Sequence, residues 1–320
     1  MKKVLVTGGA GFIGTEVVRL LIEQGFKVRV VDDLSKRESK ISKKCDFIKV
    51  DLTNPKFLRK AFQGIDYCIH LAAKIGGIGY FHKYPATILS ENNKMYSMIF
   101  EACVKEKIKK IIYISSSMVF ESATSFPVKE GDLAKIPTPL SAYGFSKLIG
   151  EEYCKAFLKE YGLDYVICRP FNAYGINEVA GEEVGYAHVI PDLIKKILTG
   201  QYPVEILGDG NQTRSFTHVS DIASGIIKAM MSPKALNNDF NLGSAKEIKI
   251  ITLAKLIYQL AGEKKPFKAK FVKGFQFDIK RRVPSSQKAH KILGWSETRK
   301  IEDEIPKIIN WMSESLKIKK

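Results

Sequence analysis

Short apolar runs alternate with amphipathic stretches through the first half of the chain. Val4-Leu5-Val6 is a run of the kind a fully buried strand shows, and Glu16 to Gln24 carries Val17, Val18, Leu20, Leu21 and Ile22 at a helical period. Further strands are predicted over 27–31, 45–50, 66–70, 109–115 and 164–168, and helices over 55–63, 86–106 and 141–161. This alternation predicts an α/β fold, a doubly wound parallel sheet with both faces covered. After Gly175 it weakens. A loop over 178–185 leads to a helix that starts at His188 or Pro191 and ends at Thr199. A strand is predicted over 204–207, and a short one over 214–219, capped at Asp221 before a helix ending near Met231. Another strand over 240–243 precedes helices over 252–261, 285–293 and 301–316. The division expected is a first domain over 1–170, with segments of about 215–245 returning to it. A smaller mixed α/β lobe over 171–320 follows, with a soft boundary.

The first strand and helix are joined by Thr7-Gly-Gly-Ala-Gly-Phe-Ile-Gly14, with Gly8, Gly11 and Gly14 three apart. Strand, glycine turn and helix form the context of a dinucleotide site of the Rossmann type. The turn lets main-chain N–H groups approach a pyrophosphate at the positive end of a helix. The second strand runs into Asp32, eighteen residues after Gly14. A carboxylate there accepts hydrogen bonds from the ribose hydroxyls of NAD and repels the extra phosphate of NADP. Lys36 and Arg37 are nearby groups able to serve such a phosphate. Leu71-Ala72-Ala73 follows the fourth strand, and its small residues allow the backbone to approach the cofactor. The segment 75–80, Ile-Gly-Gly-Ile-Gly-Tyr, reads as a glycine-rich loop, suited to closing over a ligand or to an ordinary surface turn.

Composition is that of a globular protein, 45% hydrophobic and 27% charged among 320 residues. The net charge of +17 favours anionic partners. A nucleotide diphosphate is one. Nucleic acid is not expected, because no aromatic–basic interleaving or nucleic-acid motif is present. No apolar run is long enough to cross a bilayer, and Thr7-Gly8-Gly9 interrupts the opening apolar stretch before it can form a signal peptide. The scattered Cys45, Cys68, Cys103, Cys154 and Cys168 read as reduced core residues, and a cytoplasmic location is expected.

Tyr143 and Lys147 lie four apart on a helix and so share a face. A tyrosine near pKa 10 is a poor base at neutral pH; an adjacent ammonium favours its phenolate. The fifth strand, just upstream, ends in Ser115-Ser116-Ser117.

These segments, with Asp51-Leu52, Arg169-Pro-Phe-Asn172, Arg214-Ser-Phe-Thr-His-Val-x-x-Asp221 and Lys288-Ala-x-x-x-Leu-Gly-Trp295, resemble the extended short-chain dehydrogenase/reductase superfamily, in its NAD-dependent nucleotide-sugar epimerase/dehydratase branch. The resemblance covers nearly the whole chain. It implies that Gly8, Gly11 and Gly14 hold the pyrophosphate, Asp32 the adenosine ribose, and Asp51 and Leu52 the adenine, with Phe12, Ile13, Leu71, Ala72 and Ala73 also at the cofactor. It implies Tyr143 as general base, Lys147 on the nicotinamide ribose, and Ser116 on the reacting hydroxyl. Ser117, Asn172, His188, Val189, Arg214 and Arg282 fall at substrate positions, with Asn172 and the two arginines on the diphosphate; for these arginines a surface ion pair is the alternative. It also implies a homodimer paired through two helices, near 86–106 and 141–161.

Within that branch, dehydratases carry an Asp-Glu pair where Ser117 and Met118 stand here, decarboxylases a glutamate at Met118, and 3,5-epimerases and epimerase-reductases a cysteine there. A thioether replaces none of these. The expected reaction is C4 epimerisation of a UDP-hexose through a 4-keto intermediate, with NAD as cofactor. The alternative is a GDP-sugar keto-reductase/epimerase resembling GDP-fucose synthase, in which a histidine matching His188 is an acid. A non-catalytic relative ranks last, because Ser116, Tyr143 and Lys147 are all present.

Overall fold

The computed structural model describes residues 2–35, 41–54, 58–178, 180, 187–274 and 279–318. The predicted alternation is realised as β1 (Lys3–Thr7), α1 (Phe12–Glu23), β2 (Lys27–Asp32), β3 (Asp46–Lys49), α2 (Leu58–Phe62), β4 (Tyr67–His70), α3 (Ile78–Lys83), α4 (Pro85–Lys105), β5 (Lys110–Ile114), α5 (Ala142–Tyr161) and β6 (Asp164–Pro170). The remaining elements are β7 (Ala173–Tyr174), α6 (Val189–Leu198), β8 (Val204–Leu207), β9 (Thr213–Ser215), β10 (Thr217–His218), α7 (Val219–Met231), β11 (Asn238–Leu242), β12 (Glu247–Lys249), α8 (Ile250–Leu260), β13 (Ala269–Val272), β14 (Arg281–Arg282), α9 (Gln287–Leu293) and α10 (Ile301–Ser315).

Seven strands form one parallel sheet in the order β11-β6-β5-β4-β1-β2-β3. Its two faces follow from the strand period of two. Val4, Val6, Val28, Val30 and Ile112 face a core completed by α1, α7 and α9. Leu5, Cys68, Ile111, Tyr113 and Ile167 face a second core under α2, α4 and α5. A third core joins Tyr174, α6, β8, α8 and α10. Chain order reverses between β1 and β4, and such switch points open a crevice at the carboxyl ends of the strands. The glycine turn and Leu71-Ala73 both leave strands there.

Several expectations need correction. The segment 75–80 is only half a loop, because α3 begins at Ile78. The single strand expected over 214–219 breaks at Phe216 into β9 and β10, which join different sheets. His218 caps α7, its Nδ1 accepting from Ser220 N at 3.3 Å. Asp221 lies inside the helix, where its carboxylate accepts from Thr298 N and Oγ1 and from Arg299 N. The start of the helix expected over 55–63 and most of the loop over 178–185 lie outside the described residues, as do Lys36 and Arg37. The sequence pattern gave no sign of the 3-10 turns Ser117–Phe120 and Glu130–Lys135 or of the short strands β7, β12, β13 and β14. All five cysteines are free thiols, and all but the half-buried Cys45 are buried. Among the described residues no helix is long and apolar enough to cross a membrane.

Candidate active site

The turn after β1 needs its glycines. Gly8 has φ +68°, and a Cβ there would lie 2.6 Å from Ala72 N; at Gly14 it would lie 2.1 Å from Gly8 O. Gly11 stands at the N-cap of α1 and no side chain caps the helix. Phe12 and Ile13 open α1, with Ile13 packed on the first core. An anion is favoured at such a helix end. Leu71 N donates to Thr7 O, and Ala72 N to Thr7 Oγ1, so the end of β4 is pressed against the turn. Thr7 Oγ1 also contacts Nδ1 of the fully buried His70 at 2.7 Å, and burial, with the Lys147 charge, takes the His70 pKa down to about 3.

Asp32 ends β2. Its Oδ2 accepts from Ala10 N at 3.0 Å and its Oδ1 from Leu34 N at 2.9 Å. The carboxylate therefore also straps the glycine turn. Asp51 accepts from Thr53 N and Oγ1, which hold its pKa below the ordinary value, while Leu52 is buried in the second core. The cradle, the uncapped helix end and the acidic strand end fit a dinucleotide.

Ser141 Oγ accepts from Gly144 N and fixes the start of α5. One turn of helix separates Tyr143 from Lys147, whose Nζ donates to Ile114 O at 2.8 Å and lies 6.0 Å from the Tyr143 ring centre. Burial lowers the Lys147 pKa to about 7, with Glu151 opposing. Tyr143 is 4% exposed. Burial and the Tyr96 phenol raise its pKa well above the usual value; a hydrogen bond with Ser116 and the Arg282 charge pull it down. Arg282 is thus a cation near the phenol, joined by Lys147 in its protonated form. Ser116 Oγ also accepts from Met118 N at 3.2 Å, opening the turn that buries Ser117 and Met118.

The two arginines expected on the substrate arrive together. β14 pairs with β9 so that Arg282 stands beside Arg214. Arg282 Nη1 donates to Asn172 Oδ1 at 3.3 Å and its Nη2 to Met118 Sδ at 2.9 Å, while Asn172 Nδ2 donates to Ser215 O. The neighbouring Arg281 forms an ion pair with Glu247. Two arginines at paired positions of neighbouring strands suit a diphosphate. His188 stands at the N-cap of α6 without capping it; its Nδ1 meets the Glu178 carboxylate. Val189 opens α6 and packs on the third core.

Sequence reasoning missed three supports of this site. Asn92, buried on α4, accepts from Lys74 N and donates to Ser146 Oγ, which donates to Tyr143 O. Arg169, noted only as part of a motif, is a buried brace between Glu151 on α5 and Asp239 on β11. Phe81, on α3, stacks on Tyr143. The one available signal was a polar residue, Asn92, on the buried stripe of a helix.

A family model, NAD dependent epimerase/dehydratase, matches residues 4–243. The chain belongs to this family, and its cofactor is NAD. The chain is 33% identical over 312 residues to a putative UDP-glucose 4-epimerase of Methanocaldococcus jannaschii, covering 97% of this chain and 98% of that one. Among solved structures it is similar to a UDP-N-acetylglucosamine 4-epimerase from Methanobrevibacter ruminantium, in complex with UDP-N-acetylmuramic acid (TM-score 0.88, 32% identity, 98% of this chain and 99% of that one). It is also similar to a UDP-glucuronic acid 4-epimerase from Bacillus cereus, in complex with UDP-glucuronic acid and NAD (TM-score 0.87, 29% identity, 98% of this chain and 99% of that one).

Proposed function

We propose that this protein is a UDP-sugar 4-epimerase that inverts C4 of a UDP-hexose through a transient 4-keto sugar. The observation that carries the reading is the convergence of Tyr143, Ser116 and Lys147 beside Met118, with no thiol or carboxylate at that position. NAD supplies a reversible two-electron acceptor. Tyr143 Oη removes the proton of the sugar hydroxyl and later returns it, so the proton count closes over a cycle. Ser116 orients that hydroxyl and stabilises the phenolate, and Lys147 and Arg282 add positive charge near it. Asn172, Arg214 and Arg282 grip the diphosphate while the keto sugar turns to present its other face. Gly8, Gly11 and Gly14 hold the cofactor pyrophosphate, and Asp32 its ribose. A homodimer through the outer faces of α4 and α5 belongs to this reading; on α5, Phe145 and Tyr161 are exposed.

The UDP-sugar epimerases among its relatives support this reading over a GDP-sugar keto-reductase. The test is incubation with UDP-glucose, UDP-N-acetylglucosamine, UDP-glucuronate and GDP-mannose without added reductant. Interconversion of C4 epimers is expected. Turnover only of a keto sugar, and only with NADPH, would sink the reading. Tyr143→Phe is expected to abolish turnover with NAD still bound.

A further inference from the structure

We propose that Phe81 is a positioning residue for Tyr143, holding the plane of the phenol and keeping water from its hydroxyl. The Phe81 ring lies 4.7 Å from the Tyr143 ring, centre to centre, and only 7° from parallel. That is an offset stack, which fixes ring orientation as well as burying area. The same cluster gathers Ile88 and Met118, with Ile75, Tyr80 and Ile279 packed around it. Tyr143 is consequently buried.

The cover is built, not draped. A Cβ at Gly76 would lie 2.6 Å from Tyr80 Cβ, so glycine there admits the Tyr80 side chain against the approach to α3. Tyr80 in turn lies 5.0 Å from the Tyr84 ring. Asn92 grips Lys74 through both its N–H and its carbonyl. The same side chain reaches Ser146, which donates to the Tyr143 main-chain carbonyl, so the segment leading into α3 and the backbone that carries the phenol are referenced to one buried amide. Phe81 closes one face of the ring to a sugar hydroxyl and leaves open the end where Ser116 meets the phenol.

The other groups facing Tyr143 are the Tyr96 phenol from α4, Ser116, Arg282 from β14 and Lys147 from α5. None is held by Phe81 through a hydrogen bond. Replacing Phe81 therefore changes chiefly the cover, and burial is the largest cause of the raised Tyr143 pKa.

The experiment uses the full-length, NAD-loaded protein in two arms. One measures kcat and KM from pH 5.5 to 11 on the UDP-sugar panel, in the NAD-bound protein, where the positive nicotinamide favours the phenolate and brings its titration down toward that range. The other titrates Tyr143 by NMR of 13C-tyrosine-labelled protein, its signal assigned by its loss in Tyr143→Phe. For Phe81→Ala, kcat is expected to fall about tenfold or more, with KM within about threefold. The acid limb of kcat and the NMR titration of Tyr143 should both move down by about one pH unit. Phe81→Tyr, which keeps the stack, should restore both. Phe81→Leu, which preserves most of the apolar volume, should fall between and serves where Phe81→Ala does not fold. An unmoved acid limb and NMR titration, whatever the melting temperature does, would overturn the proposal. So would a rise in KM alone, which would make Phe81 a sugar contact. The turnover arm rests on the function proposed above and the NMR arm does not. A protein that turns over none of the sugars defeats that function and leaves the NMR arm to decide for Phe81.

Discussion

Replacing Arg169 with methionine tests the brace behind the catalytic helix. Arg169 is 2% exposed and Glu151 fully buried. The guanidinium donates from Nε at 2.8 Å and Nη2 at 2.7 Å to the Glu151 carboxylate, and Nη1 pairs with Asp239 at 2.8 Å. Methionine fills much of the volume but leaves Glu151 with only the Ser115 hydroxyl, at 2.6 Å. Removing one partner of a buried ion pair destabilises by about 3–5 kcal/mol, because the remaining charge stays out of water. At about 2.1 cal/mol/K per residue, a chain of 320 residues unfolds with an entropy of roughly 0.7 kcal/mol/K, so the melting temperature should drop by about 4–7 °C. The pair Arg169→Met and Glu151→Leu should recover most of this, since neither member of the buried pair is left charged without the other and Asp239 keeps Lys288 at 2.6 Å. Thermal melts followed by circular dichroism, without NAD, read both. A drop under about 1 °C for Arg169→Met, or a double variant less stable than the single one, would refute the reasoning.

Three further outcomes follow from the geometry. Lys147 releases its proton near pH 7 when folded but holds it to about 10.4 when unfolded, so the NAD-free protein should gain stability as pH rises from 7 to 9, by at most about 1.4 kcal/mol per pH unit. Lys147→Met should lack this increment in urea titrations; equal pH slopes would exclude it. Gly14→Ala places a methyl 2.1 Å from Gly8 O, so it should destabilise by about 1–3 kcal/mol and abolish NAD binding by calorimetry; unchanged NAD affinity would contradict the cradle. Arg214→Gln and Arg282→Gln should each weaken UDP binding about tenfold or more, with a shallower salt dependence, and undiminished affinity would remove that arginine from the diphosphate site.

The alternation of apolar runs and amphipathic helices determined the parallel sheet, because strands buried on both faces and helices buried on one leave periodic signatures within a few residues. The glycine turn was equally legible, since Gly8 takes a positive φ and Gly14 meets Gly8 O only six residues back, although the Ala72 N that crowds Gly8 comes from a distant strand end. Tyr143 and Lys147 share a face by helical spacing alone. The placement of Phe81, Asn92, Arg169 and Arg282 was decided only by tertiary structure. Each meets its partner across a distant part of the chain: Phe81 on Tyr143, Asn92 on Ser146, Arg169 on Asp239, and Arg282 beside Arg214 through a two-residue strand too short to leave a pattern. Asp32 shows both sources in one residue. Its spacing from the glycines raises the expectation of a ribose contact, but only the folded chain puts its carboxylate on Ala10 N and makes it a strap for the turn. Local periodicity records which face an element buries; what that face meets depends on how the distant elements are stacked.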